Sequence, residues 1–204
     1  MIRTAFWSQL TNVEPAPVTI EIADLVRRAL DGDSEAFESI ILRYERRVVS
    51  LATKLLGRTE DAQDAAQEVF LRVYKYLHRL DLQKPIEPWL MRVTVNVSRD
   101  IGRKRQLRLS AFPESESSDA VPARAGSNPF EQVAAEQQRQ LLWKALNSLP
   151  EKERIAVTLR DIEGLSTSEV AEILESSEST VRSQISRARV RLKDAMDGMI
   201  GGQQ

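Results

Sequence analysis

Apolar residues recur along this chain at steps of three and four nearly everywhere, the spacing of one buried helical face. A first helix is expected from Ile20 to Leu30, with Leu25, Val26, Ala29 and Leu30 on one side and Gly32 ending it. Asp33 or Ser34 should cap a second helix, whose Phe37, Ile40, Ile41, Tyr44, Val48, Leu51, Ala52 and Leu55 form a clean stripe up to Gly57. Thr59, Glu60 and Asp61 place acid at the positive end of a third helix, which buries Ala62, Ala66, Val69, Phe70, Val73 and Leu77. After the loop "RLDLQKPIE", Pro88 suits the first turn of a fourth helix that reaches about Arg105.

The pattern then breaks. "AFPESESSDAVPARAGSNP", Ala111 to Pro129, is rich in Ser, Pro and Ala and has no apolar period, so it reads as a linker. As a coil it would span roughly 25 Å on average and up to about 65 Å when stretched. Helical periodicity resumes with Phe130, Val133, Ala134, Leu141, Leu142, Ala145, Leu146 and Leu149 on one long helix. Pro150 starts the next, with Ile155, Ala156, Leu159 and Ile162 inside and Gly164 at its end. Ser166 and Glu169 form the S-x-x-E capping box of a short helix containing Val170, Ala171 and Leu174. Glu175 to Ser177 separate it from a final helix, and the three pieces make a helix-turn-helix. The expected fold is all-α, in two small helical domains joined by a flexible tether.

Composition narrows the chemistry. The 204 residues contain no cysteine and one histidine, His78, which removes thiolate sites and leaves a His-based triad one candidate base. No GxGxxG or GxxxxGK[ST] occurs, so the chain leans away from an enzyme. No apolar run could span a bilayer. The start, with Pro15 and Pro17, reads as a loose leader rather than a signal peptide. Asp31 and Asp33 hint at a calcium loop, but Gly32 is misplaced for one and helix capping explains them better.

Charge is the informative quantity. The net charge is -1, yet Ser179 to Lys193 hold five basic residues and no acid. On a helical wheel Val181, Ile185, Ala188 and Leu192 form one narrow stripe. Arg182, Ser183, Ser186, Arg187 and Val190 fall opposite. Arginine forks match guanine edges, and a helix fits the major groove. Arg189, Arg191 and Lys193, further along, suit phosphates. On the fourth helix Leu90, Val93, Val97 and Ile101 form the apolar stripe, while Arg92, Asn96, Arg99 and Arg103 form a polar one that continues into "RKRQLR". That second surface also suits a nucleic-acid backbone. Trp89, at the border, reads as a core anchor before a stacking residue. On the third helix Asp61, Asp64, Glu68, Arg72 and Lys75 step along one face, either as i,i+4 ion pairs or as a docking face for a basic partner helix.

"DAQDAAQEVFLRVYKYL" followed by "PWLMRVTVNVSRDIGRKR" resembles region 2 of bacterial RNA polymerase sigma factors. "LNSLPEKERIAVTLRDIEGLSTSEVAEILESSESTVRSQISRARVRLK" is similar to their region 4. With these two regions alone, the chain resembles the extracytoplasmic-function (ECF) group of the sigma-70 family. The resemblance implies a leader (1–19), a region 2 domain (20–108), a linker (109–129), a region 4 domain (130–197) and a tail (198–204). It implies that Asp61, Asp64, Gln67 and Glu68 dock on the clamp helices of the polymerase largest subunit. Lys84, Trp89, Arg92, Asn96, Arg99, Arg103 and Arg105 would serve minus-10 DNA, with the loop Asp81 to Glu87 capturing a flipped base. Ser179, Thr180, Arg182, Ser183, Ser186, Arg187 and Arg189 would serve the minus-35 element. Ile86 stands where the family commonly has an aromatic, Glu175 replaces the usual turn glycine, and Ser186 is smaller than many family residues there.

The implied function is promoter recognition lent to core polymerase. The implied partners are core polymerase, including its flap, promoter DNA and an anti-sigma factor. No cofactor, metal, catalytic residue, small-molecule substrate or membrane insertion is expected, and the place of action would be the cytoplasm. The rival reading is a free-standing helix-turn-helix regulator with an N-terminal sensing or dimerisation domain.

Overall fold

The computed structural model describes residues 19–111 and 140–201, all of whose regular structure is helical. The expected leader, most of the linker and the first turns of the Phe130 helix lie outside the described residues. Helices α1 (Thr19–Leu30), α2 (Ser34–Leu56), α3 (Thr59–Tyr76) and α4 (Ile86–Ala111) form the first half, with a 3₁₀ turn at Leu77–Arg79. The second half holds α5 (140–147), α6 (Glu151–Val157), a π-helical turn (Thr158–Ile162), α7 (Thr167–Ile173) and α8 (Glu178–Gly201).

Local chemistry sets the element ends. The Asp33 carboxylate caps α2 by accepting from the Glu35 and Ala36 N–H groups at 3.0 and 3.1 Å. Gly57 closes α2 in the left-handed region, φ 77°, and its N–H returns to the Thr53 carbonyl. Ile40, Tyr44, Val48, Leu51, Ala52 and Leu55 are buried as the stripe predicts. On α1 the buried face is Ile22, Ala23, Val26 and Ala29, whereas Leu30 is exposed.

Expectations about two helices are corrected. Helix α4 runs to Ala111, beyond Arg105 and into the expected linker. Its buried face is also wider than the expected stripe: Met91, Thr94, Val95 and Ser98 are buried with Leu90 and Val97, while Val93 and Ile101 are half-buried. The reason is that α4 packs on α2 and α3 and also meets α7 of the second half. The helix expected from Pro150 to Gly164 does not stay α-helical. After Val157 it widens, the Glu163 N–H reaching the Thr158 carbonyl at 2.9 Å, before Gly164 turns at φ 80°.

The core does not separate at the linker. One apolar cluster joins Val26, Leu51, Val69 and Leu90 to Ile155, Leu159, Leu165, Val170, Val181 and Ile185. A smaller cluster, with Leu142, Leu146, Leu149, Val157, Ala188 and Leu192, packs α5, α6 and α8 together.

Candidate nucleic-acid and polymerase interface

The helix-turn-helix is built by its caps. Ser166 Oγ accepts from the Glu169 N–H at 3.2 Å, and the Glu169 carboxylate accepts from the Ser166 N–H at 2.7 Å. The chain leaves α7 through Leu174 and turns at Glu175, whose φ of 51° is the sole positive value at a non-glycine among the described residues. Ser177 then caps α8, its Oγ accepting from the Thr180 N–H at 3.2 Å. Ser179 and Thr180 are exposed, and both hydroxyls join the Ser177 hydroxyl, at 3.0 and 2.8 Å.

Beyond the cap, α8 presents the two faces expected of it. Val181, Ile185, Ala188 and Leu192 are buried, and Arg182, Ser183, Ser186, Arg187, Arg189 and Val190 are exposed. The comb is not a bare row of cations. Arg182 pairs with Glu178 one turn back. Buried Glu153 on α6 lies 3.6 Å from Arg187 and 3.3 Å from Arg191. Asp161, in the π-helical turn, accepts both prongs of Arg189 at 2.8 and 2.6 Å. Those bonds hold the Arg189 guanidinium above its ordinary pKa despite partial burial. Sequence periodicity could not find Glu153 or Asp161, because neither lies on the comb's own helix. Gln184, also buried, interrupts the apolar stripe.

The polar stripe of α4 is likewise engaged. Asn96 and Arg103 are exposed. Arg92 donates to Glu175 of the turn at 3.2 Å, and Arg99 lies 3.4 Å from Glu151 at the start of α6. Arg105 lies 3.4 Å from Asp61. Lys84 is exposed, 3.5 Å from Asp81 in the loop before α4. Trp89 is half-buried and packs on the core, as an anchor does. At the base of α4, Tyr44 donates to Glu87 at 2.9 Å. Burial, then this bond, pushes the Tyr44 phenol far above its ordinary pKa, so it remains a donor.

On α3, Asp64 and Gln67 are exposed. Asp61 departs from the expected exposed row: its side chain is only 16% exposed, held against Arg105. Glu68 accepts from Arg72 at 2.7 Å, and Arg72 also reaches Asp100 at 3.3 Å. Among the described residues no cluster of three or more His, Cys, Asp or Glu could hold a metal ion, and Asp33 acts as a cap. No helix among them is long and apolar enough to cross a membrane.

A helix-turn-helix with an outward arginine comb, carried beside a second basic helical stripe, defines an all-α DNA-binding protein. Comparison with known proteins makes this specific. The Sigma-70 region 2 family matches residues 40–108, and the Sigma-70 region 4 family matches residues 139–192. The ECF RNA polymerase sigma-E factor of Escherichia coli K12 is 32% identical over 185 residues, covering 86% of this chain and 94% of that protein. The sigma-E factor of Haemophilus influenzae is 29% identical over 181 residues, with 86% and 95% covered. Among solved structures, CnrH in complex with the cytosolic domain of CnrY has TM-score 0.64 at 24% identity, covering 87% of this chain and 98% of that one. RpoE of Bartonella quintana, in complex with the anti-sigma factor NepR, has TM-score 0.65 at 23% identity, with 79% and 96% covered. The chain belongs to the ECF RNA polymerase sigma factors of the sigma-70 family. It directs RNA polymerase to specific promoters for transcription initiation, and the two region matches in this order decide against a free-standing regulator.

Proposed function

We propose that residues 20–108 dock on core polymerase and hold the opened minus-10 strand, while residues 130–197 read the minus-35 element. Asp61, Asp64, Gln67 and Glu68 would meet the clamp helices. Lys84, Trp89, Arg92, Asn96, Arg99, Arg103 and Arg105 would serve the minus-10 strand. Ser179, Thr180, Arg182, Ser183, Ser186, Arg187 and Arg189 would serve the minus-35 duplex. The observation that carries the second assignment is the outward row of Arg182, Ser183, Ser186 and Arg187 on a capped helix whose opposite face is buried. A helix so presented can enter the major groove with its first turns against base edges.

The chain performs no chemistry of its own in this reading; polymerase does, in the cytoplasm. An anti-sigma partner is part of the proposal, supported by the complex in which the related fold of the Bartonella RpoE was solved. The test is to add the purified chain to core polymerase and map transcription start sites genome-wide. A shared pair of minus-35 and minus-10 motifs upstream of the starts is expected. Starts identical to those of core polymerase alone would refute the reading.

A further inference from the structure

The comb on α8 has a buried acid behind it that the promoter-reading roles do not use. Glu153 is the third residue of α6, where an acid suits the positive end of a helix. That position explains a carboxylate in the first turn but not its burial: the Glu153 side chain is only 8% exposed. A buried carboxylate is strongly disfavoured unless cations enclose it. Here two cations do so. Arg187 and Arg191, one turn apart on α8, approach different oxygens. Arg187 Nε lies 3.6 Å from Oε1, and Arg191 Nε lies 3.3 Å from Oε2. Oε2 is fully enclosed and accepts no hydrogen bond among the described residues, so the Arg191 charge is what balances it. Ala188, between the two arginines in sequence, is fully buried in the cluster it shares with Val157. So small a side chain lets α6 and α8 approach closely enough for the bridge.

The bridge has two consequences for the comb. In both arginines the nitrogen that faces Glu153 is Nε, which leaves Nη1 and Nη2 outside the bridge on side chains more than half exposed. Those two nitrogens are a fork that matches guanine O6 and N7. Asp161 treats Arg189 differently, taking Nε and Nη2 together. An arginine held at Nε has fewer rotamers to lose, so its fork is aimed before DNA arrives. The second consequence is charge. Two arginines and one carboxylate carry one net positive charge rather than two, which reduces sequence-independent attraction to phosphates.

We propose that Glu153 is a specificity-determining positioning residue: bridging Arg187 and Arg191 from behind, it aims the Arg187 fork at one base of the minus-35 duplex and keeps both arginines from serving as indiscriminate phosphate contacts. The proposal rests on α8 entering that duplex with Arg187 against a base edge. Glu153 acts only through the arginines, and its removal has two effects of opposite sign. Sequence-independent affinity rises, and base preference falls.

The test uses holoenzyme formed from the full chain and a promoter library randomised at the minus-35 element. Arg187→Ala should shrink the preference at one position on the order of tenfold. Glu153→Gln, which keeps size and polarity, should shrink it at that same position on the order of threefold, and should add nothing to the loss in an Arg187→Ala background. On a duplex lacking the element, Glu153→Gln should steepen the slope of log affinity against log salt by about one. Glu153→Asp keeps the charge but withdraws the carboxylate, so it should lose preference with the parent slope. It also serves if Glu153→Gln impairs folding, checked by circular dichroism. A folded Glu153 variant that keeps the parent preference, lowers all sequences equally, or loses preference additively with Arg187→Ala overturns the positioning role and leaves the reading by Arg187 intact. An unchanged salt slope for Glu153→Gln overturns the restraint on phosphate contacts. If Arg187→Ala changes no position, the reading by Arg187 fails, and the proposal falls with it.

Discussion

Arg182 and Lys193 sit on one helix but should fail differently. Arg182 lies in the second turn of α8, paired to its neighbour Glu178, and can turn outward to a base edge. Arg182→Ala should cost about 1–3 kcal/mol at the preferred promoter and relax preference at one minus-35 position. Lys193→Ala should weaken all promoters alike and flatten the salt dependence by about one ion. A randomised minus-35 library transcribed by each holoenzyme separates the two; an equal loss across all sequences for Arg182→Ala would make it a backbone contact. Arg189 differs again, because Asp161 already takes both of its prongs. In the proposed complex it would meet DNA as half of a neutral pair. Asp161→Asn should therefore steepen the slope of log affinity against log salt by about one. An unchanged slope would mean that phosphate displaces Asp161 in the parent complex as well.

Single elements carry their own tests. The Asp33 cap ties α1 to α2 through the backbone and through Arg28 at 2.9 Å. The bond from the Ala36 N–H, then the Arg28 bond, hold its carboxyl below the ordinary aspartate range. A pKa depressed on folding stabilises fully above the unfolded value, near about 4, and that gain is lost as pH falls through the lowered value. Asp33→Asn should thus lower the melting temperature at pH 7 and converge on the parent in strong acid, where both side chains are neutral. Equal deficits at both pH values would show that charge plays no part in the cap. In α2, Leu51 is fully buried in the apolar cluster to which the first four helices contribute. Leu51→Ala should destabilise by about 2–5 kcal/mol, read by chemical denaturation.

At the scale of the whole molecule, docking on polymerase should run through the outer part of the α3 face. Asp61 is committed to Arg105, so reversing its charge would disturb α4 as well as any interface. Asp64 and Gln67 are the exposed members. Asp64→Lys with Gln67→Lys, which places two cations on the face, should weaken core binding by tenfold or more, about 1.4 kcal/mol per decade, without changing helical content. Unchanged affinity in a titration against core polymerase would remove this face from the interface.

Periodicity in this sequence determined the helices α1 to α3, α7 and α8, the Asp33 and Ser166 caps, the Gly57 and Gly164 turns and the two faces of α8, because each depends on residues within one or two turns of each other. It also placed Arg92, Asn96, Arg99 and Arg103 on a common stripe. What it could not reach was set by contacts between elements distant in sequence. The width of the buried face on α4 depends on α7 packing against it, which no count along α4 contains. The π-helical turn lies where Leu159 and, just beyond it, Leu165 enter a core shared with the first half, in an unremarkable local pattern. Most of all, Glu153, Asp161, Glu163 and Glu175 look in sequence like scattered surface acids. Only the tertiary structure brings each to within a few ångströms of a basic group far along the chain, since a charge pair is decided by where helices cross and not by spacing within them.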